Sequence, residues 1–438
     1  MPGTRNPGTR PAMRAPLGAM LLLVVLLPSL IFYAGLSTSL ALGTSIAALM
    51  LVGVAMLSPA ARGRLAITPE ALAALVVAAI TAHLVVACVF QPIDLARASA
   101  SLIPLALVIL GGCALGRLLA AARDADIGRA VRLCFAVLCV VSALPTLGFS
   151  PVAPNVDTVY VKPVFPFTEP SHFALVFVPM LMYCCIASSG RRRLLVLLLG
   201  ALVAALLQNL TLVAGCLLVA WVCLRRLALP VLAAVLGLVA TQLDLSYYAE
   251  RLDFTGDVQN LSNLVYVQGW QLVRESLERS SGWGLGFQQL GLQGSDTQAA
   301  NIIFALVGNY ANVLDGGFTF AKLASEFGVF GLMLAALYLA TAWRAIRDLR
   351  STARGAKRFI APVVFAQCML ASYLIEMFVR GAGYFTGTGI LLIASFWLLS
   401  WAHQASPAAV VAPRSTGIRR VRRRIVATAA LRSRQAGH

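Results

Sequence analysis

The sequence predicts an all-α polytopic membrane protein, and three observations carry that expectation. Hydrophobic residues make up 59% of the 438-residue chain and charged residues only 12%, a balance that soluble domains rarely reach. Apolar runs of about twenty residues, the length of a bilayer-crossing helix, recur from one end to the other. The basic residues alternate between the intervening segments. Counted from a first segment placed inside, 28 of the 35 lysines and arginines fall inside, the asymmetry that puts both termini in the cytoplasm.

The elements follow in order. Residues 1–16 repeat PGTR and read as a disordered cytoplasmic tail. The first apolar run is too long for a signal-peptide core and no A-x-A site follows it, so it is a retained span. Twelve spans are expected, near 17–36, 37–57, 69–90, 101–122, 130–149, 170–189, 194–208, 209–224, 227–243, 318–343, 358–379 and 384–403. Spans seven and eight are short and divided only by "QNLT", so they are either two crossings or a re-entrant hairpin. Residues 1–16 thus precede nine spans over 17–243, an outside loop covers 244–317, three spans cover 318–403, and a basic cytoplasmic tail covers 404–438. The net charge of +18 reflects this inside bias. The tail stretch "GIRRVRRR" reads as a stop anchor against anionic lipid rather than as a nucleic-acid site. All nine cysteines lie in apolar spans without a CxxC, which predicts buried small hydrophobes rather than a disulfide framework or zinc site.

Two outside segments are long. One, 150–169, is rich in proline and valine. The other, 244–317, holds an expected amphipathic helix over 261–279, with Tyr266, Trp270, Val273 and Leu277 on one stripe. That stripe either lies in the membrane interface or packs on the outside of the bundle. "GWGLGFQQLG" at 282–291 follows. Its glycines permit tight turns and close backbone approach, but the spacing is not that of a dinucleotide-binding motif.

Charged side chains at membrane depth are costly and mark candidate sites. Arg380 ends span eleven within "EMFVRGAGYF". Its planar fork suits phosphate or diphosphate; the alternative is an ion pair with Glu376, one turn earlier. Lys322 and Glu326, at i and i+4, begin span ten and can neutralise one another; Asp315 precedes them. Arg251 follows Tyr247 and Tyr248 at the exit of span nine and meets either a phosphate or lipid headgroups. "FPFTEPSHFALVFVPM" at 165–180 places Glu169, Ser171 and His172 at the start of span six. Pro170 fits the first helical position and Glu169 fits the helix dipole, but neither explains His172. A serine triad is disfavoured, because there is no G-x-S-x-G elbow and adjacent residues on one helix start rarely align as nucleophile and base; a general base acting on a sugar hydroxyl is easier to arrange. His83, His403 and His438 mark no site, and with no cluster of ligand spacing the site is expected to be metal-independent and without a cofactor.

"EPSHFAL" (169–175), "GWGLGF" (282–287), "DGGFTFAKLASEFGVFG" (315–331) and "RGAGYF" (380–385), set in this layout, resemble the O-antigen polymerase and O-antigen ligase superfamily. The resemblance implies a GT-C-like fold in the bacterial inner membrane, with the site facing the periplasm. It implies a glycosyltransferase whose donor is a glycan on undecaprenyl diphosphate. A sugar hydroxyl attacks the anomeric carbon and the lipid diphosphate leaves, without a metal. Glu169 or His172 would then be the base, and Arg380 and Arg251 would bind diphosphate with Lys322 assisting. Glu326, Tyr384 and Trp270 complete the implied substrate-binding set. Membrane lipids, a chain-length regulator and a flippase are the implied partners. Residues 292–317 lack the histidine common in ligases, which favours polymerase. A flippase or twelve-span carrier is the competing class, disfavoured because the largest loop is off-centre and the halves show no repeat.

Overall fold

The computed structural model describes residues 14–58, 68–149, 164–224, 261–292, 297–310 and 312–405, with the single residues 151 and 294. The expected span at 227–243, Arg251, Tyr247, Tyr248, the repeats of the N-terminal tail and the basic tail lie outside the described residues. The chain divides into a unit spanning 1–399 and a C-terminal unit spanning 400–438, of which only the end of the last helix is described.

The described residues form an all-helical membrane protein. The helices are α1 (Arg14–Tyr33), α2 (Ala41–Leu57), α3 (Pro69–Ala87), α4 (Leu95–Ala121), α5 (Asp124–Ala143), α6 (Pro170–Ala187), α7 (Gly190–Leu206), α8 (Leu210–Cys223), α9 (Leu261–Arg279), α10 (Gln298–Val307), α11 (Thr319–Ala353), α12 (Ala361–Phe378) and α13 (Gly387–Ala405). Local chemistry sets several of these starts. The side chains of Thr68, Asp94 and Asn209 accept from the backbone N–H three residues on, at 3.2, 2.9 and 2.8 Å. These bonds satisfy donors that a helix start leaves unpaired. Pro69, Pro170 and Pro362 occupy first turns, where a missing N–H costs nothing.

Six helices are long and apolar enough to cross a bilayer: α3, α4, the α5 segment to Leu147, α6, α11 and α12. The remaining expected spans among the described residues also form helices, α1, α2, α7, α8 and α13, that are shorter or less uniformly apolar. At 14 residues, α8 rises about 21 Å, short of a ~30 Å hydrocarbon core. The outer faces are oily. Leu194, Leu195, Leu202 and Leu206 on α7, and Met333, Leu334 and Leu337 on α11, are exposed, which suits lipid rather than water.

The buried centre is α6 against α12, flanked by α5, α8 and α11. Phe173, Phe177, Tyr183, Cys185 and Phe365 fill it. Of the nine free cysteines, Cys88 is exposed, Cys139 is half-buried and the others are buried. At one end of the bundle, the Arg193 guanidinium donates to the carbonyls of Cys185, Ser188, Cys223 and Ala353 at 2.8–3.1 Å. One cation therefore satisfies the carboxyl ends of α6, α8 and α11 together. These are the helix ends that the charge pattern assigns to a single side of the membrane.

The amphipathic helix expected over 261–279 is α9, which ends at Arg279 as expected and is described from Leu261 on. Its stripe packs on the bundle: Val273, with Tyr266 and Leu277, lies against Phe318, Ala321 and Ala324. A single continuous span over 318–343 was expected; the helix instead extends to Ala353 and is broken inside. Gly328 has φ 54° and ψ −130°, outside helical geometry.

Candidate functional site

The site is built at the amino-terminal ends of α6 and α11 and in the segment after α12. Glu169 is the N-cap residue of α6 but makes no cap bond. Its carboxylate accepts from Arg380 Nη2 at 2.9 and 2.8 Å and from the Ser171 hydroxyl at 2.7 Å. Arg380 therefore pairs with Glu169, 211 residues away in sequence. The alternative of a pair with Glu376 does not hold. Glu376 is buried, with the Thr386 hydroxyl at 3.4 Å. Burial alone would raise the Glu169 carboxyl. The opposing charge of Arg380, then His172, and the bonds from Ser171 and Arg380 outweigh it and hold it at about 2.

His172 is the third residue of α6, half-buried, with Nδ1 3.2 Å from the Thr168 hydroxyl. Glu169, Arg380 and Asp315 all act on it electrostatically. Sequence proximity placed Glu169 and His172 together; only the fold brings Asp315 and Arg380 to them.

Lys322, on the first turn of α11, is buried. Its ammonium donates to the Leu314 carbonyl at 2.6 Å and to Asp315 Oδ1 at 3.0 Å. The expected i, i+4 pair with Glu326 is present but longer, at 3.8 Å. The same ammonium lies 5.4 Å from the centroid of the Tyr384 ring, within cation–π range. Burial would raise the Asp315 carboxyl, but Lys322 first, then His172 and Arg380, draw it below its ordinary value. The segment after α12 is drawn in by Gly381, whose N–H donates to the Gly317 carbonyl at 3.0 Å. A Cβ at Gly381 would stand 2.6 Å from the Thr319 nitrogen, so only glycine allows this approach.

Beneath the site, loop 282–291 docks into the break in α11. Leu285 N donates to Ser325 O at 2.9 Å, Gly286 N to Glu326 O at 2.8 Å, and Val329 N to Gly282 O at 2.9 Å. The "GWGLGF" and "SEFG" stretches are thus two halves of one backbone contact. The loop also carries Phe287, which stacks on Tyr384 at 5.9 Å and 19°. Glu326 is fully buried. The Tyr384 hydroxyl lies near its carboxylate, yet neither group has a partner in hydrogen-bond geometry.

Two residues that shape this region were not legible in the sequence. Asp315 was noted only as preceding Lys322. His83, read as marking nothing, stacks on Trp283 at 5.2 Å and 10°, while the Trp283 indole N–H donates to the His83 carbonyl at 3.2 Å. With Gln91, which donates to the Leu285 carbonyl, and Gln289, which bridges to Asp94, it pins the glycine loop to the α3–α4 connection. Trp270 stands apart from the charged groups, half-exposed, on Phe318 and Phe320 at 5.3 and 5.5 Å. The arrangement therefore gathers Glu169, His172, Asp315, Lys322, Glu326, Arg380 and Tyr384 at one end of a membrane bundle. Both cations are already paired, Arg380 with Glu169 and Lys322 with Asp315, beside the imidazole of His172. Comparisons with protein-family models, with curated proteins and with solved structures return no match.

Proposed function

We propose that the chain is a membrane glycosyltransferase that polymerises oligosaccharide repeat units carried on a polyprenyl diphosphate, of the O-antigen polymerase kind. The observation that carries this reading is the juxtaposition of Arg380, Lys322 and His172 at one end of the bundle. In the reaction, the oxygen of an acceptor sugar hydroxyl bonds to the donor's anomeric carbon. The bond from that carbon to the diphosphate oxygen breaks, and its electron pair leaves on the diphosphate. Arg380 and Lys322 offset the charge that develops there, and preorganised cations in a water-poor site lower such barriers. The hydroxyl proton goes to His172. Glu169, held at about 2, is too weak a base for this and fixes the Arg380 fork instead, since an effective base titrates near the working pH. Twelve spans, a GT-C-like arrangement, cytoplasmic termini and a periplasm-facing site in the inner membrane belong to the same reading. So do contacts with a chain-length regulator and a flippase.

Transfer of the glycan to lipid A-core is the ligase form of this chemistry. Transport is a second reading, and the break at Gly328 beside buried Glu326 favours it, since discontinuous helices line carrier sites. The test is the surface glycan of a strain lacking the chain. Single repeat units on the final acceptor, with the long ladder gone, support polymerase. Long polymer stranded on the polyprenyl carrier means ligase, and single units trapped on the cytoplasmic side mean transport.

A further inference from the structure

The charges of the site do not suit an anion as they stand. Each of the two cations already has a carboxylate partner, Arg380 in Glu169 and Lys322 in Asp315, and the buried Glu326 carboxyl lies 3.8 Å from the same lysine. A diphosphate carries several negative charges and needs uncompensated positive charge to bind. One carboxylate must therefore give way.

The three are not equally held. Glu326 is fully buried in α11. Glu169 is tied by both oxygens to Arg380 and by one to Ser171. The Asp315 side chain has one hydrogen bond, to Lys322, and is 48% exposed while Lys322 beneath it is 2% exposed. Asp315 thus stands between solvent and a buried ammonium. The backbone is shaped for it: at Gly383, with φ 80°, a Cβ would lie 2.9 Å from Asp315 Oδ1. Beneath, Lys322 remains held by the Leu314 carbonyl and Glu326, so its position survives the loss of Asp315.

We infer that the Asp315 carboxylate occupies the place of one phosphate of a diphosphate ligand, covering Lys322 until the ligand displaces it. Asp315 is then a positioning residue that sets anion affinity and prevents the cations from holding stray phosphate. This rests on the diphosphate-donor reading for the identity of the ligand, but its test does not require glycosyl transfer.

The experiment measures binding of inorganic diphosphate and of farnesyl diphosphate to the full chain in phosphatidylcholine nanodiscs by calorimetry. Asp315→Asn keeps the shape and one acceptor oxygen and removes the charge. It should bind both probes about tenfold more tightly than wild type, and Asp315→Asn with Lys322→Met should lose that gain. A loss of fold cannot produce tighter binding. Equal or weaker binding by Asp315→Asn, or no binding by either protein, overturns the inference. So does a gain abolished by phosphatidylglycerol in the disc, which would make the site one for lipid headgroups. Tighter binding in a protein whose deletion leaves the glycan ladder unchanged would sink the glycosyltransferase reading and leave the anion gate standing.

Discussion

Replacing Gly328 with alanine tests whether the break in α11 is required. Gly328 has φ 54°, and a Cβ there would fall inside the contact radius of the Gly282 and Trp283 carbonyls. Its neighbour across the contact, Gly284, is equally close, with a Cβ position 2.6 Å from the Glu326 carbonyl. The variant has two ways to respond. It can keep the loop docked and carry backbone strain of about 1–3 kcal/mol with overpacking of about 1–3 kcal/mol. Or it can release the loop and lose the bonds from Leu285, Gly286 and Val329, at about 1 kcal/mol each. Both routes cost about 3 kcal/mol, or about 3 °C in melting temperature for a chain of this size. Intrinsic-fluorescence melting in detergent reads this, because Trp283 sits in the contact. Gly53→Ala is the control: no atom lies within 4 Å of its Cβ position, and an exposed helical alanine gains up to about 1 kcal/mol. If Gly328→Ala melts with wild type while Gly53→Ala behaves as stated, the docked-loop account is wrong.

Three further outcomes are expected. The Glu169 carboxyl titrates at about 2 in the pair against an ordinary 4.5, so its folded-state value is depressed. Its contribution is full above pH 4.5 and lost as pH falls toward 2; a melting profile across that window should flatten in Glu169→Gln, and an unchanged slope would remove the pair from the acid response. His172→Ala should cut glycan extension by about 100-fold or more at normal protein level, and a normal ladder would take His172 out of the proton path. Arg193→Lys has three donors on one nitrogen for four carbonyls, so at least one loses its charged partner. It should melt earlier by an amount equivalent to about 2 kcal/mol, and equal melting would mean water serves those helix ends as well.

Much of the helical layout was legible because hydropathy and caps are local. The carboxyl-terminal end of α9 and the Glu169–Pro170 helix start were readable within a few residues of sequence. The Asp94 cap starts α4 six residues before the expected span, because Arg97, Ser99 and Ser101 interrupt the apolar run there. The break at Gly328 was hidden because α11 is apolar on both sides of it; only the docking of a loop some forty residues earlier explains it. The site was legible as residue types near one side. Its pairings were not, because Arg380 had a carboxylate one turn away in Glu376 and used Glu169 instead. His83 was unreadable for the same reason, since its partner Trp283 is 200 residues on.

The central claim is glycosyl transfer with a diphosphate leaving group. Its most direct measurement is an incubation of the purified chain, in nanodiscs with chelator present, with a polyprenyl-diphosphate-linked repeat unit. The account predicts lengthened glycan and one free polyprenyl diphosphate released for each linkage formed, with both lost in Arg380→Ala. Unlengthened substrate and no released diphosphate, from a preparation with the wild-type melting temperature, would contradict it.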